Sequence, residues 1–305
     1  MELIRKTNID FMGMKKISFT ISIVIAVIGI IAIVRMAMGA ANTGIDFSGG
    51  TGMQLKFSTP ITIDHVRSSL SNHGIKEVEL QEVKEGNKLL IKMHKSTGHT
   101  ADAVQEDLKK DFASNPFVVE STTEIGPSIG DKLRKDTLIA VALSMLGIIL
   151  YIAWRFDYKF GVGAVIATLH DILAMFAVFL LLNKEINLLF ITAVLTIAGY
   201  SLTDTVVVFD RIRENLHKNL KGSITNIFNQ SINEVLSRTI VTSLTTFLAA
   251  SSLFFFGGEV IHDFAFALVV GIVVGTYSSI FVASPIVSLW EKAPGQAKAY
   301  GDSHE

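Results

Sequence analysis

The sequence predicts a multi-pass membrane protein: a six-helix transmembrane bundle with one small α+β domain exported between its first and second spans. Three observations predict this. Of 305 residues, 50% are hydrophobic and only 18% charged, below the roughly 25% usual in soluble domains. The apolar excess is gathered in six long blocks, each near or above the length that crosses a ~30 Å hydrocarbon layer. Residues 35–136, by contrast, are polar and hold no such block. The net charge of −1 gives no basic signature for nucleic acid. With no cysteine in the chain, disulfides, thiol catalysis and Cys-based zinc or iron–sulfur sites are excluded.

Residues 1–16 carry Arg5, Lys6, Lys15 and Lys16 and form an N-terminal cytoplasmic segment. The first span follows, residues 17–34, about 27 Å long as a helix. Small residues come next (Ala37, Gly39, Ala40, Ala41), as they would after a signal peptide. The apolar run is longer than an ordinary signal core, so a retained anchor is expected. Four further spans are expected at about Thr137–Ala153, Val162–Leu182, Asn187–Phe209 and Thr239–Phe256, and a sixth at about Phe264–Leu289. Residues 137–290 are therefore a five-helix membrane region and 291–305 a tail. Basic residues crowd the N-terminus, the turn with Arg155 and Lys159, and the connection with Arg211, Arg213, Lys218 and Lys221. The short loops between those turns hold only Lys184, or no Lys or Arg at 257–263. The positive-inside rule then puts both termini in the cytoplasm and residues 35–136 outside it. Tyr151, Trp154, Phe156, Tyr158 and Trp290 fall where interfacial aromatic belts are expected.

Within 35–136 the pattern is strand (52–57), helix (62–71, with Thr62 as cap), strand (77–83), strand (88–93), helix (101–112, behind Thr100) and strand (117–125). Alternation in Met53-Gln54-Leu55-Lys56-Phe57 and the turn Glu85-Gly86-Asn87 support the strands. The order β-α-β-β-α-β is that of a ferredoxin-like split unit. His65, His73, His94 and His99 lack metal-ligand spacing and read as solvated surface.

The polar positions inside the spans carry the chemistry, because an ionisable group there costs at least ~2.5 kcal/mol and faces a bundle interior or a water path. In the fourth span Tyr200, Ser201, Asp204 and Val208 share one face. Asp204 lies roughly 8 Å from the cytoplasmic end of the apolar run. From depth alone it is equally a buried proton carrier or a hydrated acid paired with Arg211 or another cytosolic base. In the fifth span Glu234, Arg238, Thr242 and then Thr245 or Thr246 make a polar stripe, with Ser243 adding a hydroxyl. Arg238 can snorkel to headgroups, but the hydroxyls above it point to bonds between packed helices. Asp171, about 15 Å into the third span, is the most central acid. With His170 beside it, a proton relay is open, and hydrogen bonding between helices is the stronger reading. In the sixth span Gly271, Gly275, Ser278 and Ser279 form a small-residue face for close helix contact. No Walker, GxSxG or HExxH pattern occurs, so neither ATP hydrolysis nor hydrolase chemistry is indicated, and no catalytic residue, metal or cofactor is expected.

Five motifs in order give the chain a close resemblance to the SecF family of bacterial protein-export subunits, over nearly its whole length. They are GIDFSGGT at 44–51, GPSIG at 126–130, GYSLTDTVVVFDRIREN at 199–215, LSRTIVTS at 236–243, and Gly257-Gly258 followed by GTYSSIF at 275–281. Thr203 departs from the pattern, standing where that family often has Asn. The resemblance implies half of a resistance-nodulation-division-type transporter, completed by an obligate SecD partner in the bacterial inner membrane. It implies use of the proton-motive force to help draw preproteins through the SecYEG channel. It assigns Asp204 and Arg238 to the proton pathway and gives Asp171 no definite role. Two other classes remain: an exporter of lipids or drugs, which would need a second six-span half, and a non-conducting scaffold. An intramembrane enzyme is the least expected.

Overall fold

The computed structural model describes residues 7–75, 78–83, 87–94, 100–218 and 223–291. Arg5, Lys6, Glu77, Glu85, Gly86, His99, Lys221 and nearly all of the tail lie outside these residues, as does the side chain of His94. The chain divides into two compact units, residues 1–41, 141–184 and 189–305 in one, and 42–140 with 185–188 in the other.

The membrane unit is built on six helices long and apolar enough to cross a bilayer. They are α1 (Lys15–Ala37), α5 (Pro127–Arg155, which begins in the other unit), α6 (Tyr158–Leu181), α7 (Leu188–Lys218), α8 (Ile224–Phe256) and α9 (Glu259–Ser278). α9 runs on through a π-helical turn, Ser279–Ala283, into α10 (Ser284–Trp290). Pro285 has no N–H for the carbonyl four residues back, and the helix widens just ahead of it. Ser284 Oγ fills part of the gap by donating to the Ser279 carbonyl at 3.0 Å. α6, α7 and α9 are about half buried by the rest of the chain, whereas α1, α5 and α8 are mostly bare.

The helices extend past the predicted apolar windows. α7 continues from Phe209 to Lys218 and α8 begins at Ile224, behind the N-cap Ser223. Hydropathy locates the lipid-crossing part of a helix and is blind to a polar continuation held by local ion pairs such as Glu214–Lys218. The extensions close over a core of Phe156, Phe160, Phe209, Ile212, Phe228 and Ile232. Phe156, expected in an interfacial belt, is 5% exposed and packs edge-on to Phe209 at 5.9 Å. Trp154 and Tyr158 do stand exposed. The N-terminal segment is more than a basic leader. Asn233 Oδ1 accepts from Thr7 Oγ1 and Ile9 N, and Asn229 Oδ1 accepts from Met12 N, which ties the segment to α8.

The other unit, the α+β domain, holds β1 (Gly50–Phe57), α3 (Ile63–Asn72), β2 (Val78–Val83), β3 (Lys88–His94), α4 (Ala101–Asp111) and β4 (Phe117–Ile125), after a short α2 (Ile45–Ser48). The antiparallel sheet has order β2-β3-β1-β4, the ferredoxin-like arrangement its element order requires. Alternation puts Met53, Leu55 and Phe57 on the buried face, with Ile91 opposite Met53 and Leu89 opposite Leu55. Val66 and Leu70 of α3 and Val104 and Leu108 of α4 complete the core. Thr100 caps α4 by accepting from Ala103 N at 3.4 Å, while Thr62 stands at the α3 cap without a side-chain bond. His73 is not simply solvated: its Nε2 lies 3.1 Å from Asp111 Oδ2.

Candidate proton-coupling site

Asp171 and Asp204, the acids within the predicted apolar spans, stand in opposite circumstances. Asp171 on α6 is fully buried. Its Oδ2 accepts from Ser201 Oγ of α7 at 2.5 Å and from Ser278 Oγ of α9 at 2.9 Å. His170 Nδ1 sits 3.4 Å from its other oxygen. One carboxylate thus ties the three central helices together. One turn on, Thr205 Oγ1 and Ser279 Oγ pair at 2.9 Å, which ties α7 also to the π-helical turn after α9. Such bonds are favoured where the alternative is a bare polar group in hydrocarbon.

The small-residue face of α9 makes this close approach possible. A Cβ on Gly275 would stand 2.9 Å from Ser201 Cβ, and one on Gly271 2.5 Å from Ile197 Cγ1. Gly271 and Gly275 therefore pack on α7, at the level where Ser201 meets Asp171.

Asp204 is half-buried, and its Oδ2 is shut from solvent without a hydrogen-bond partner. Thr239 of α8 faces the carboxylate, yet its hydroxyl also lacks a formed bond. Arg238 is close enough to act on the Asp204 charge, but the two form no ion pair within 4 Å. The Tyr200 hydroxyl, one turn earlier on the same face, is a third buried polar atom without a partner. Buried polar groups are almost always satisfied, and these three lie on adjoining faces of α7 and α8.

Arg211, the rival partner for Asp204, is committed elsewhere. It donates to Glu234 Oε2 and Glu214 Oε2, each at 2.5 Å. The polar stripe on α8 also divides. Ser243 reaches α9, accepting from Thr276 Oγ1 at 2.7 Å. Thr245 and Thr246 bond back to carbonyls of their own helix, and Thr242 is exposed. Among the described residues, interhelical bonding thus explains Ser243 and leaves the threonines facing outward.

Sequence reasoning named Asp171, Asp204 and Arg238 but not Thr239, nor the role of Ser201 and Ser278 as donors. The spacing of Ser278 and Gly275, three apart on one face, held the signal, which reads first as packing.

The family model for the C-terminal part of the protein-export membrane proteins SecD and SecF matches residues 104–293. Protein translocase subunit SecF of Thermodesulfovibrio yellowstonii is 53% identical over 95% of this chain and 97% of its own length. The SecF of Calditerrivibrio nitroreducens is 43% identical over 95% and 96%. Among solved structures, SecDF from Thermus thermophilus, described as a translocon-associated membrane protein, superposes with TM-score 0.82 at 37% identity over 93% of this chain. A SecDF structure in a super-membrane-facing form gives TM-score 0.71 at 35% identity over 99%. This chain spans only 39% and 41% of those two longer chains. On the model match and the near-complete coverage of its relatives, the chain belongs to the SecF family of protein translocase subunits.

Proposed function

We propose that the chain is the SecF half of a SecD–SecF pair in the bacterial inner membrane, which uses the proton-motive force to help preproteins through the SecYEG channel. The observation that carries this reading is the Asp204 carboxylate, half-buried, with an unpaired oxygen beside Thr239 and within the field of Arg238. A carboxylate with no committed donor can exchange a proton at little structural cost. Burial and a nearby cation pull its two states in opposite directions, which makes the proton movable. Its face, with Tyr200 and the bare outer side of α8, is where a second six-span half would complete the site. Similarity to SecDF chains more than twice as long supports that pairing.

In this reading Asp204 alternates between a carboxylate drawn to Arg238 or SecD groups and a neutral acid, with protons entering from the outer side. One charge moved through the membrane potential supplies about 2.3 kcal/mol per 100 mV, enough to bias a two-state movement of the bundle. The unit of residues 42–140 and 185–188 lies outside the cytoplasm and passes that movement to the preprotein; both termini lie inside. Asp171 is the hinge anchor rather than the carrier, because its two serine donors hold it in place. The chain acts as a transporter subunit and not as an enzyme.

The test is export driven by a proton gradient in membranes carrying Asp204→Asn or Arg238→Ala. The account expects an assembled complex with gradient-driven stimulation lost and export in the absence of a gradient unchanged. Full stimulation in Asp204→Asn would refute it.

A further inference from the structure

The signature Gly44–Thr51 precedes the exported sheet, and nothing in the proton chemistry explains why so many close contacts gather there. With Asn42 and Thr43 just before it, it grips the segment 185–188, which leads into α7 and supplies its first residue. Thr43 and Ile186 form a parallel bridge. Ile186 N donates to the Asn42 carbonyl at 2.8 Å, and Gly44 N donates to the Ile186 carbonyl at 3.0 Å. Asp46 Oδ2 then accepts from Leu188 N at 3.0 Å. Leu188 is the first residue of α7, so a carboxylate from the exported unit supplies one of the acceptors that the first turn of a helix lacks.

A second contact holds the same segment. Glu185 is buried and pairs with Lys92 of β3. The glycines leave no slack. A Cβ on Gly44 would fall 2.3 Å from Glu185 Oε1, and one on Gly130, in the first turn of α5, would fall 3.1 Å from Gly49 N. Gly49 and Gly50, at φ 70° and 151°, turn the chain from α2 into β1 in a conformation that side chains resist.

We infer that Asp46 is a positioning residue: with the Lys92–Glu185 pair it clamps the start of α7 to the exported unit, so that movement of one is imposed on the other. α7 carries Asp204 sixteen residues on from Leu188, about 24 Å along the helix axis. The role of the clamp in coupling rests on the function proposed above. A helix is stiff along its length, and a bond at its first residue transmits displacement without a chain of side-chain rearrangements.

The absence of native cysteine allows a direct test in the whole complex. Export stimulated by the complex is compared for native protein, Asp46→Asn, Asp46→Ala, the pair Thr43→Cys with Ile186→Cys, and that pair combined with Asp46→Ala. Each cysteine form is measured oxidised and reduced, with Asp204→Asn alongside. Asp46→Asn keeps an acceptor oxygen and retains most of the stimulation. Asp46→Ala lowers it roughly fivefold, the scale of a lost helix cap, with export in the absence of a gradient unchanged. Oxidising the cysteine pair restores stimulation in Asp46→Ala and leaves it intact in the otherwise native chain. Unaltered stimulation in Asp46→Ala overturns the inference, as does failure of the disulfide to rescue it. Should Asp46→Ala not accumulate, the otherwise native cysteine pair decides: stimulation kept on oxidation supports a clamp that stays closed, and stimulation lost on oxidation refutes it. Asp204→Asn reports separately on the proton reading, so either idea can fail while the other stands.

Discussion

Asp171 on α6 and Ser201 on α7 lie 2.5 Å apart, oxygen to oxygen, and Ser278 on α9 completes the junction at 2.9 Å. This junction fixes the spacing of the three most buried spans. Ser201→Ala removes one donor and should destabilise the purified complex by about 1 kcal/mol, in the range of ~0.6 to ~1.7 found for bonds between membrane helices. Asp171→Asn keeps the volume and an acceptor and should cost less than Asp171→Leu, which strands both serines. Unfolding midpoints in detergent rank the three; equal midpoints for Asp171→Leu and the native protein would contradict the anchoring role.

Close packing makes a second ranking. A Cβ on Gly29 of α1 would lie 2.2 Å from the Leu173 carbonyl oxygen of α6, whereas the obstacle at Gly271 is the side chain of Ile197. Backbone cannot turn aside and a side chain can. Gly29→Ala should therefore cost roughly 1 to 3 kcal/mol by overpacking, and Gly271→Ala distinctly less. Thermal midpoints of the two variants decide, and a larger loss at Gly271 would contradict the packing described.

In the α+β unit, Ser69 Oγ donates to Asp111 Oδ2 at 2.5 Å. That bond first, and His73 after it, hold the carboxyl below its ordinary value of 3.8. A depressed acid adds stability above its unfolded value, and the gain is lost as pH falls through the folded one. Protection of α3 and α4 in the full chain, read by hydrogen exchange corrected for intrinsic rates, should fall as pH drops below the ordinary carboxylate range of about 4. Ser69→Ala should lower the protection above that range and flatten its fall. An unchanged profile in Ser69→Ala would count against the pairing.

Much of this was legible from residues alone, for physical reasons. Apolar blocks report the lipid crossing directly, and two-residue alternation reports the buried face of β1, so both the spans and the sheet could be read. The polar ends of α7 and α8 could not, because their helicity depends on local pairs such as Glu214–Lys218 and on the cap at Ser223. Asp204 and Asp171 stood out as charges in hydrocarbon, but which of them is satisfied depends on serines thirty and more positions away. Gly29 gave no pattern at all: it is one glycine in an apolar run, and only the neighbouring backbone shows what it is for. Asp46 read as part of a signature, while its partner, the amide of Leu188, is invisible in any sequence.

The central claim is that Asp204 takes up and releases the proton. Its most direct test is proton flux into vesicles containing the assembled pair, followed with an internal pH-sensitive dye under an imposed gradient. The account predicts flux above empty vesicles for the native pair and for Ser201→Ala, and flux at the empty-vesicle level for Asp204→Asn. Native flux through Asp204→Asn would contradict it.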